Sequence, residues 1–191
     1  MSAQKLRHLY NGIFLLKKFE KASGISCPEI IQWPETKIWY FGVCAYYRPT
    51  KIVVNVKKCA NTGSVGRQSS YAGYVVDRTP YGVLAHEMGH HVDRTLSDIK
   101  GPYFGNFSKD LRARTREKKI TNYCPDDAEW FAEIFRLFLT NPDLLYNLRP
   151  KTYAELHDRF PLWPRTPWQE ILEDAPERTK LQAEKKIRNK K

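Results

Sequence analysis

The sequence has no long hydrophobic run and no region typical of a secretion signal. No stretch of the 191 residues approaches the roughly 20 apolar residues that a membrane-spanning helix needs. Near the N-terminus, the apolar run extends only from Ile13 to Leu16, which is too short for the core of a secretory signal. We therefore expect no membrane span and no cleavable signal, and cytoplasmic, virion-associated and leaderless exported locations all stay open.

Cysteine is scarce, and its spacing excludes two common motifs. None of the four cysteines forms a CxxC pair, so the chain has neither a zinc-ribbon nor a thioredoxin-like redox motif. The sequence leaves open whether they are buried free thiols or two disulfides. The cysteines are Cys27, Cys44, Cys59 and Cys124.

Acidic residues are outnumbered, and the resulting net charge of +11 is concentrated in two segments. Segment 109–119 has six basic residues against two acidic ones, and segment 177–191 has seven against two. Such segments can dock on nucleic acid or on an acidic partner. They are also typical of a solvated helix face and a frayed tail. Neither segment interleaves aromatic residues with its charges, so the nucleic-acid signal is weak.

The length is that of one domain, predicted over residues 1–170, followed by a basic helical extension over 171–191. Apolar spacing and breaker residues predict a helix, then a hairpin, then further helices, an order that indicates the α+β class. Thr79-Pro80 is a typical helix start, with Thr as N-cap and Pro at the first helical position. The predicted helices cover residues 3–22, 80–96, 107–120, 126–139 and the C-terminal extension. The predicted strands cover 37–47, 51–56 and 74–77.

The stretch "HEMGHHVD" (86–93) carries the main chemical signal. His86 and His90 are four residues apart on one predicted helix, so their side chains lie on the same face and can hold two corners of a tetrahedral zinc site. Glu87 is placed to act on a water at that zinc as general base, which is the HExxH arrangement. Gly89 leaves room for another helix to pack closely.

A catalytic zinc needs a third protein ligand, and residues close to the motif do not supply it. Asp93 and Leu96 stand where a metzincin has glycine and histidine, so that subclass is excluded. His91 points about 100° away around the helix from His90. His8 and His157 stand outside any motif and are interpreted as surface or packing residues.

The predicted helix 126–139, "DDAEWFAEIFRLFL", offers the third ligand. Glu129 and Glu133 share one face of an otherwise strongly apolar helix, and buried carboxylates are costly unless they are paired or bind metal. Glu129 as zinc ligand and Glu133 as acceptor for the other N–H of a ligand histidine would explain both. The alternative is a helix with two acids at its exposed edge.

"HEMGHHVD" followed by "YCPDDAEWFAEIFRL" closely resembles the catalytic domain of anthrax-toxin lethal factor and its relatives, over about residues 80–140. These are gluzincin metallopeptidases, so the resemblance implies a zincin-like domain with a small antiparallel sheet. It maps the zinc-binding glutamate to Glu129 and the outer glutamate to Glu133. It also implies a tyrosine that stabilises the oxyanion, for which Tyr123 is the candidate and Tyr71, Tyr74 and Tyr81 are alternatives.

The sequence therefore predicts a zinc-dependent metalloendopeptidase, with a zinc-activated water and Glu87 as general base. In zincins the substrate commonly lies along an edge strand, which here is expected near Gly73 to Asp77. The rival hypothesis is a zincin-fold binding or virion-assembly protein that docks through its basic segments. A pure scaffold has no need of Glu87, which this chain retains. The substrate and the oligomeric state stay open.

Overall fold

The computed structural model describes residues 3–32, 44–59, 77–97, 106–121 and 123–164. Over these residues the chain is α+β, with six helices and one three-stranded sheet. The helices are α1 (Ala3–Ser23), α2 (Pro80–Leu96), α3 (Phe107–Thr115), α4 (Asp127–Thr140), α5 (Pro142–Leu148) and α6 (Pro150–Arg159). The strands are β1 (Glu29–Gln32), β2 (Ala45–Arg48) and β3 (Lys51–Val54). The predicted strand residues 37–43 and 74–76, and the predicted extension 171–191, lie outside the described residues.

The sheet is mixed, so the prediction of an antiparallel sheet is wrong in one respect. The predicted hairpin is present, because β2 pairs antiparallel with β3. However, β1 pairs parallel with the other edge of β3, giving the order β1-β3-β2. The four residues of β1 are too few to show a period in the sequence, and their parallel partner is distant along the chain. Strand β3 is central, and its Ile52, Val53 and Val54 are buried.

Helix α2 has the predicted bounds, but the predicted N-cap residue does not cap it through its side chain. Thr79 is the N-cap residue and Pro80 follows it, yet the Thr79 side chain makes no capping hydrogen bond. Instead, the Thr79 hydroxyl and backbone N–H donate to Oδ1 of the buried Asp77, over 2.7 and 2.9 Å. Asp77 therefore fixes the start of α2 from outside the helix.

The second half of the chain differs most from the predicted elements. Helix α3 ends at Thr115 rather than near residue 120, because Arg116 adopts a left-handed conformation (φ 53°). The Glu117 carboxylate then accepts the backbone N–H of Thr152 at the start of α6, a helix that the sequence analysis did not predict. Helix α4 ends at Thr140, just before Asn141-Pro142, as predicted, but Pro142 and Pro150 also each occupy the first turn of a further helix, where proline is tolerated.

Helix α4 runs through the core and places its two glutamates against α2. Asp126 is its N-cap residue, and the Asp126 side chain accepts the backbone N–H of Glu129 over 2.8 Å. The aromatic side chains that the sequence placed inside are fully buried, and one of them, Phe135, packs edge to face against Phe19 of α1. This packing fixes the axial position of α4. The aromatic residues are Trp130, Phe131, Phe135 and Phe138.

The close approach predicted at Gly89 is confirmed. A Cβ atom at Gly89 would lie 2.7 Å from Ala132 Cα and 3.1 Å from Phe135 Cβ, both on α4. The 2.7 Å contact is with backbone and cannot be relieved by a side-chain rotation. The backbones of α2 and α4 therefore approach each other at the level of the His and Glu side chains.

We expect Gly89→Ala to destabilise the fold even though alanine is the better helix former. Overpacking of this kind costs about 1–3 kcal/mol, against roughly 1 kcal/mol gained in helix propensity. Urea denaturation measures the net loss in the free energy of unfolding. Because the added methyl group would push α2 and α4 apart, metal binding should also weaken. Gly24→Ala is the matched control. Gly24 follows α1 with a φ of 73°, and the space at its Cβ position is open. Gly24→Ala should therefore lower stability through backbone strain alone and leave metal affinity unchanged. Unchanged stability in Gly89→Ala would contradict the tight packing.

Among the described residues, no helix combines the length and the apolar character needed to cross a membrane.

Candidate metal centre

Helices α2 and α4 bring His86, His90 and Glu129 together. One ligand atom from each lies within 4.8 Å of the other two. The His86 Nε2 atom is 3.1 Å from Glu129 Oε2, and the His90 Nε2 atom is 3.6 Å from Glu129 Oε1. Two imidazoles from one helix and one carboxylate from another therefore form a cluster that can hold a metal ion.

The pKa values of the two histidines in this cluster are shifted in opposite directions. Burial alone would lower the pKa of His86, but its close contacts with Glu129 and Glu133 raise it to about 10. Burial and the neighbouring His86 lower the pKa of His90 to about 4, so His90 is neutral with a lone pair to offer. The Glu129 Oε2 atom is buried and has no well-aligned hydrogen-bond donor, despite its 3.1 Å distance from His86. A buried carboxylate oxygen in this state is suited to a cation.

Glu87 lies on the same helix beside the cluster and is buried. Burial raises the pKa of its carboxyl group to about 7, although the adjacent His86 opposes the shift. The backbone N–H of Tyr47, on β2, donates a hydrogen bond to this carboxylate. A carboxyl group with a pKa near neutrality can both accept and return a proton, as a general base must.

Glu133 holds His86 from the side away from the cluster, in the predicted position. The His86 Nδ1 atom is 2.8 Å from Glu133 Oε1. With Nδ1 donating to Glu133, Nε2 faces the cluster, where a bound metal ion would take the place of the Nε2 proton. Burial alone would raise the pKa of Glu133, but Arg136 and His86 lower it to about 2, so Glu133 stays ionised.

Arg136 is a member of the site that the sequence analysis missed. Its Nε and Nη2 atoms donate to the two Glu133 oxygens over 3.2 and 3.1 Å. Only 2% of the Arg136 surface is exposed, so this is a buried ion pair. The i, i+3 spacing from Glu133 on a strongly apolar helix was the available signal.

Replacement of Arg136 with methionine is expected to weaken metal binding, because it leaves Glu133 buried without its cation. Zinc affinity should fall about 10–100-fold, as is typical when an outer-sphere partner is lost. The fold should lose on the order of 3–5 kcal/mol, the usual cost of breaking a buried ion pair. Competition with a chelating dye and urea denaturation measure the two effects.

The matched control for Arg136 is Arg114→Met, which removes an exposed ion pair with Glu155. That variant should leave zinc affinity unchanged and alter stability by less than about 1 kcal/mol. A folded Arg136→Met variant with wild-type zinc affinity would show that Arg136 does not act on the metal centre.

Tyr123 lies next to the cluster, with its ring centroid 5.8 Å from that of His86. Burial, together with the charges of Glu129 and Glu87, raises the pKa of its hydroxyl to about 12, so the group stays protonated and can donate. The alternative Tyr81 is buried and packs near Gly12 of α1. The other two alternatives, Tyr71 and Tyr74, lie outside the described residues, as does 73–76 of the expected substrate strand.

The remaining histidines lie where the sequence analysis expected, away from the cluster. His91 contacts the Ser26 carbonyl oxygen through Nε2 at 2.8 Å and the Tyr47 hydroxyl through Nδ1 at 3.1 Å, so it ties α2 to β2 and to the loop before β1. His8 is buried in α1, and His157 stacks on a tyrosine of α6.

Asp93, which rules out the metzincin pattern, has a structural role. It is buried, and its Oδ1 atom accepts the backbone N–H of Ser108 over 2.8 Å at the start of α3. Burial raises the pKa of its carboxyl group to about 6. Asp93 therefore joins α2 to α3 one turn beyond the cluster.

The basic segment 109–119 is partly neutralised by the chain itself. Arg112 pairs with Asp127 at 2.7 Å, and Arg114 pairs with Glu155 at 3.0 Å. These contacts join α3 to α4 and α6, so two of the six basic residues have a structural role. The segment 177–191 lies outside the described residues, and docking on nucleic acid or an acidic partner stays a prediction.

Comparisons of the chain with protein-family models, with curated proteins and with solved structures find no match.

Proposed function

We propose that the protein is a zinc-dependent peptidase of the gluzincin type, with a zincin-like fold in which His86, His90 and Glu129 hold the metal. The observation that supports this most strongly is the convergence of the HExxH face of α2 with Glu129 of α4. The resemblance of residues 80–140 to the lethal factor family supports peptide bonds as the substrate.

The donor set favours zinc over other common ions. Imidazole suits zinc and other transition metals, whereas calcium and magnesium prefer sites made only of oxygen. Three protein ligands are the number in catalytic zinc sites, which keep one position for water or substrate. Zinc held there would polarise a peptide carbonyl group and lower the pKa of water toward 7.

Glu87 moves the proton in the proposed reaction. Its carboxylate accepts a proton from the attacking water, and the water oxygen adds to the peptide carbonyl carbon. Glu87 then donates this proton to the amine nitrogen as the C–N bond breaks. The buried setting of Glu87 and its pKa of about 7 suit both halves of this transfer.

Three further residues, Glu133, Arg136 and Tyr123, support this reaction. Glu133 and Arg136 keep the His86 ring oriented, so that Nε2 is presented to the cluster. The Tyr123 hydroxyl donates a hydrogen bond to the carbonyl oxygen as negative charge develops on it.

The proposal is tested without knowledge of the natural substrate. The zinc-loaded chain is incubated with a peptide library made from a digested proteome, and new peptide termini are identified by mass spectrometry. We expect new termini that disappear with a zinc chelator and return when zinc is added back. Termini that form equally fast in the presence of the chelator would contradict a metallopeptidase.

A further inference from the structure

Two cysteine side chains are in contact at the open end of the β2–β3 hairpin, outside the metal centre. Cys44 directly precedes β2, and its carbonyl oxygen accepts the backbone N–H of Asn55 over 2.7 Å, just after β3. The backbone N–H of Cys59 donates to the Asn55 carbonyl oxygen over 3.2 Å. This turn carries Cys59 back to Cys44: the Cys59 sulfur lies 3.9 Å from the Cys44 carbonyl oxygen, and the Cys44 sulfur lies 3.3 Å from the carbonyl oxygen of Lys58, the residue before Cys59. Both cysteines are free thiols in this structure.

The two sulfur atoms have different electrostatic surroundings. Arg78 Nη2 lies 3.9 Å from the Cys44 sulfur, whereas the Cys59 thiol faces the carbonyl oxygens of Asn55 and Cys44, at 3.5 and 3.9 Å. The neighbouring Cys59 thiol and the Arg78 guanidinium lower the pKa of Cys44 to about 6, which favours its thiolate form. The neighbouring Cys44 sulfur and burial raise the pKa of Cys59 well above its ordinary value. Of the two cysteines, Cys44 therefore has the lower thiol pKa and the neighbouring cation.

We propose that Cys44 and Cys59 form a peroxide-reactive dithiol, in which Cys44 is the nucleophile and Cys59 the resolving residue. A thiolate beside a cation and next to a second thiol is the arrangement that reacts selectively with oxidants. Cys44 is 9% exposed, against 2% for Cys59, so the nucleophile is the more accessible of the two. This limited exposure favours hydrogen peroxide over larger disulfide oxidants.

The chemistry balances with hydrogen peroxide as the two-electron oxidant. The Cys44 thiolate attacks one peroxide oxygen, the O–O bond breaks, and hydroxide leaves and takes up a proton from solvent. Cys44 is then a sulfenic acid. The Cys59 sulfur attacks the Cys44 sulfur, the S–O bond breaks, and hydroxide leaves with the Cys59 proton as water. The products are one disulfide and two waters, and the disulfide ties the two ends of the hairpin together.

The other two cysteines provide internal controls. Burial raises the pKa of Cys27 to about 11, and burial also raises the pKa of Cys124. Both are therefore thiols rather than thiolates at neutral pH. Because thiolate character governs the reaction with peroxide, they should react on the order of tenfold more slowly than Cys44, or slower still.

The test is thiol mapping of the full chain. Reduced, folded protein is treated with hydrogen peroxide at pH 7, quenched with catalase, labelled with N-ethylmaleimide and digested for mass spectrometry. We expect a peptide pair linked through Cys44 and Cys59, while Cys27 and Cys124 carry the label. If all four thiols remain labelled, or if Cys27 and Cys124 are oxidised as fast as Cys44, the proposal is overturned.

Two variants separate the roles of the nucleophile, the resolving thiol and the cation. Cys59→Ser should accumulate a Cys44 sulfenic acid that dimedone traps, and an absence of trapped product from folded protein would contradict the assignment. Arg78→Met should slow oxidation of Cys44 several-fold. Arg48→Met, which removes a cation packed on Tyr46 of β2, should not. Equal rates in the two arginine variants would overturn the role of Arg78. If Cys59→Ser does not fold, the mapping of the wild-type protein decides.

Discussion

Replacement of Glu129 with alanine is expected to remove zinc from the protein while the helices stay folded. Purified wild-type protein should contain about one zinc per chain, because three side chains from two helices bring possible ligand atoms within 4.8 Å of one another. In the variant only two imidazoles from one helix turn remain. We expect its affinity to fall by more than the roughly 10–100-fold that follows the loss of an outer-sphere partner. Elemental analysis after dialysis and chelator competition measure the loss.

The matched control for Glu129 is Glu155→Ala, which removes a glutamate from the exposed surface of α6. It should retain wild-type zinc content, so that a loss in Glu129→Ala reports on the site rather than on total negative charge. Circular dichroism shows whether both variants are folded. A wild-type protein that takes up no zinc after reconstitution would remove the basis for the proposed peptidase, and the basic segments would become the place to look for function.

The second large effect is expected from Glu87→Gln, which should retain zinc and lose peptide cleavage. Glutamine nearly preserves the size of the side chain and can still accept the Tyr47 backbone N–H, but it cannot take a proton from water. General acid–base catalysis typically contributes 10²–10⁴-fold, so turnover should fall by at least about that factor. The measurement is the rate at which new termini form in the peptide library.

Comparison of Glu87→Gln with Glu129→Ala distinguishes a loss of catalysis from a loss of zinc binding. Glu87→Gln should match the wild type in zinc content, whereas Glu129→Ala should not. Full cleavage activity in Glu87→Gln would refute Glu87 as the general base even if the zinc site is real. Loss of zinc from Glu87→Gln would instead make Glu87 part of the metal-binding set.

The local structure of the two helices around the candidate metal centre could be predicted from the sequence. The four-residue spacing of His86 and His90 places both on one face of any helix, and Thr79-Pro80 predicted where that helix begins. The apolar run around Glu129 and Glu133 predicted a buried helix, and buried acids need a partner. Gly89 predicted a close helix contact, which the 2.7 Å approach to Ala132 confirms. Each of these inferences depends on residues within one or two helix turns.

The tertiary structure decided the contacts between segments that are distant along the chain. The parallel pairing of β1 with β3, the contact of Glu117 with α6 and the pairing of Cys44 with Cys59 join segments whose relative positions have no local signature. Arg136 is adjacent to Glu133 in its helix, but its importance follows from burial, which depends on all the elements packed around α4. Helix periodicity and breaker residues act through short-range geometry and can therefore be read from sequence. Strand order, buried ion pairs and thiol contacts depend on packing of the whole chain, so only the folded structure determines them.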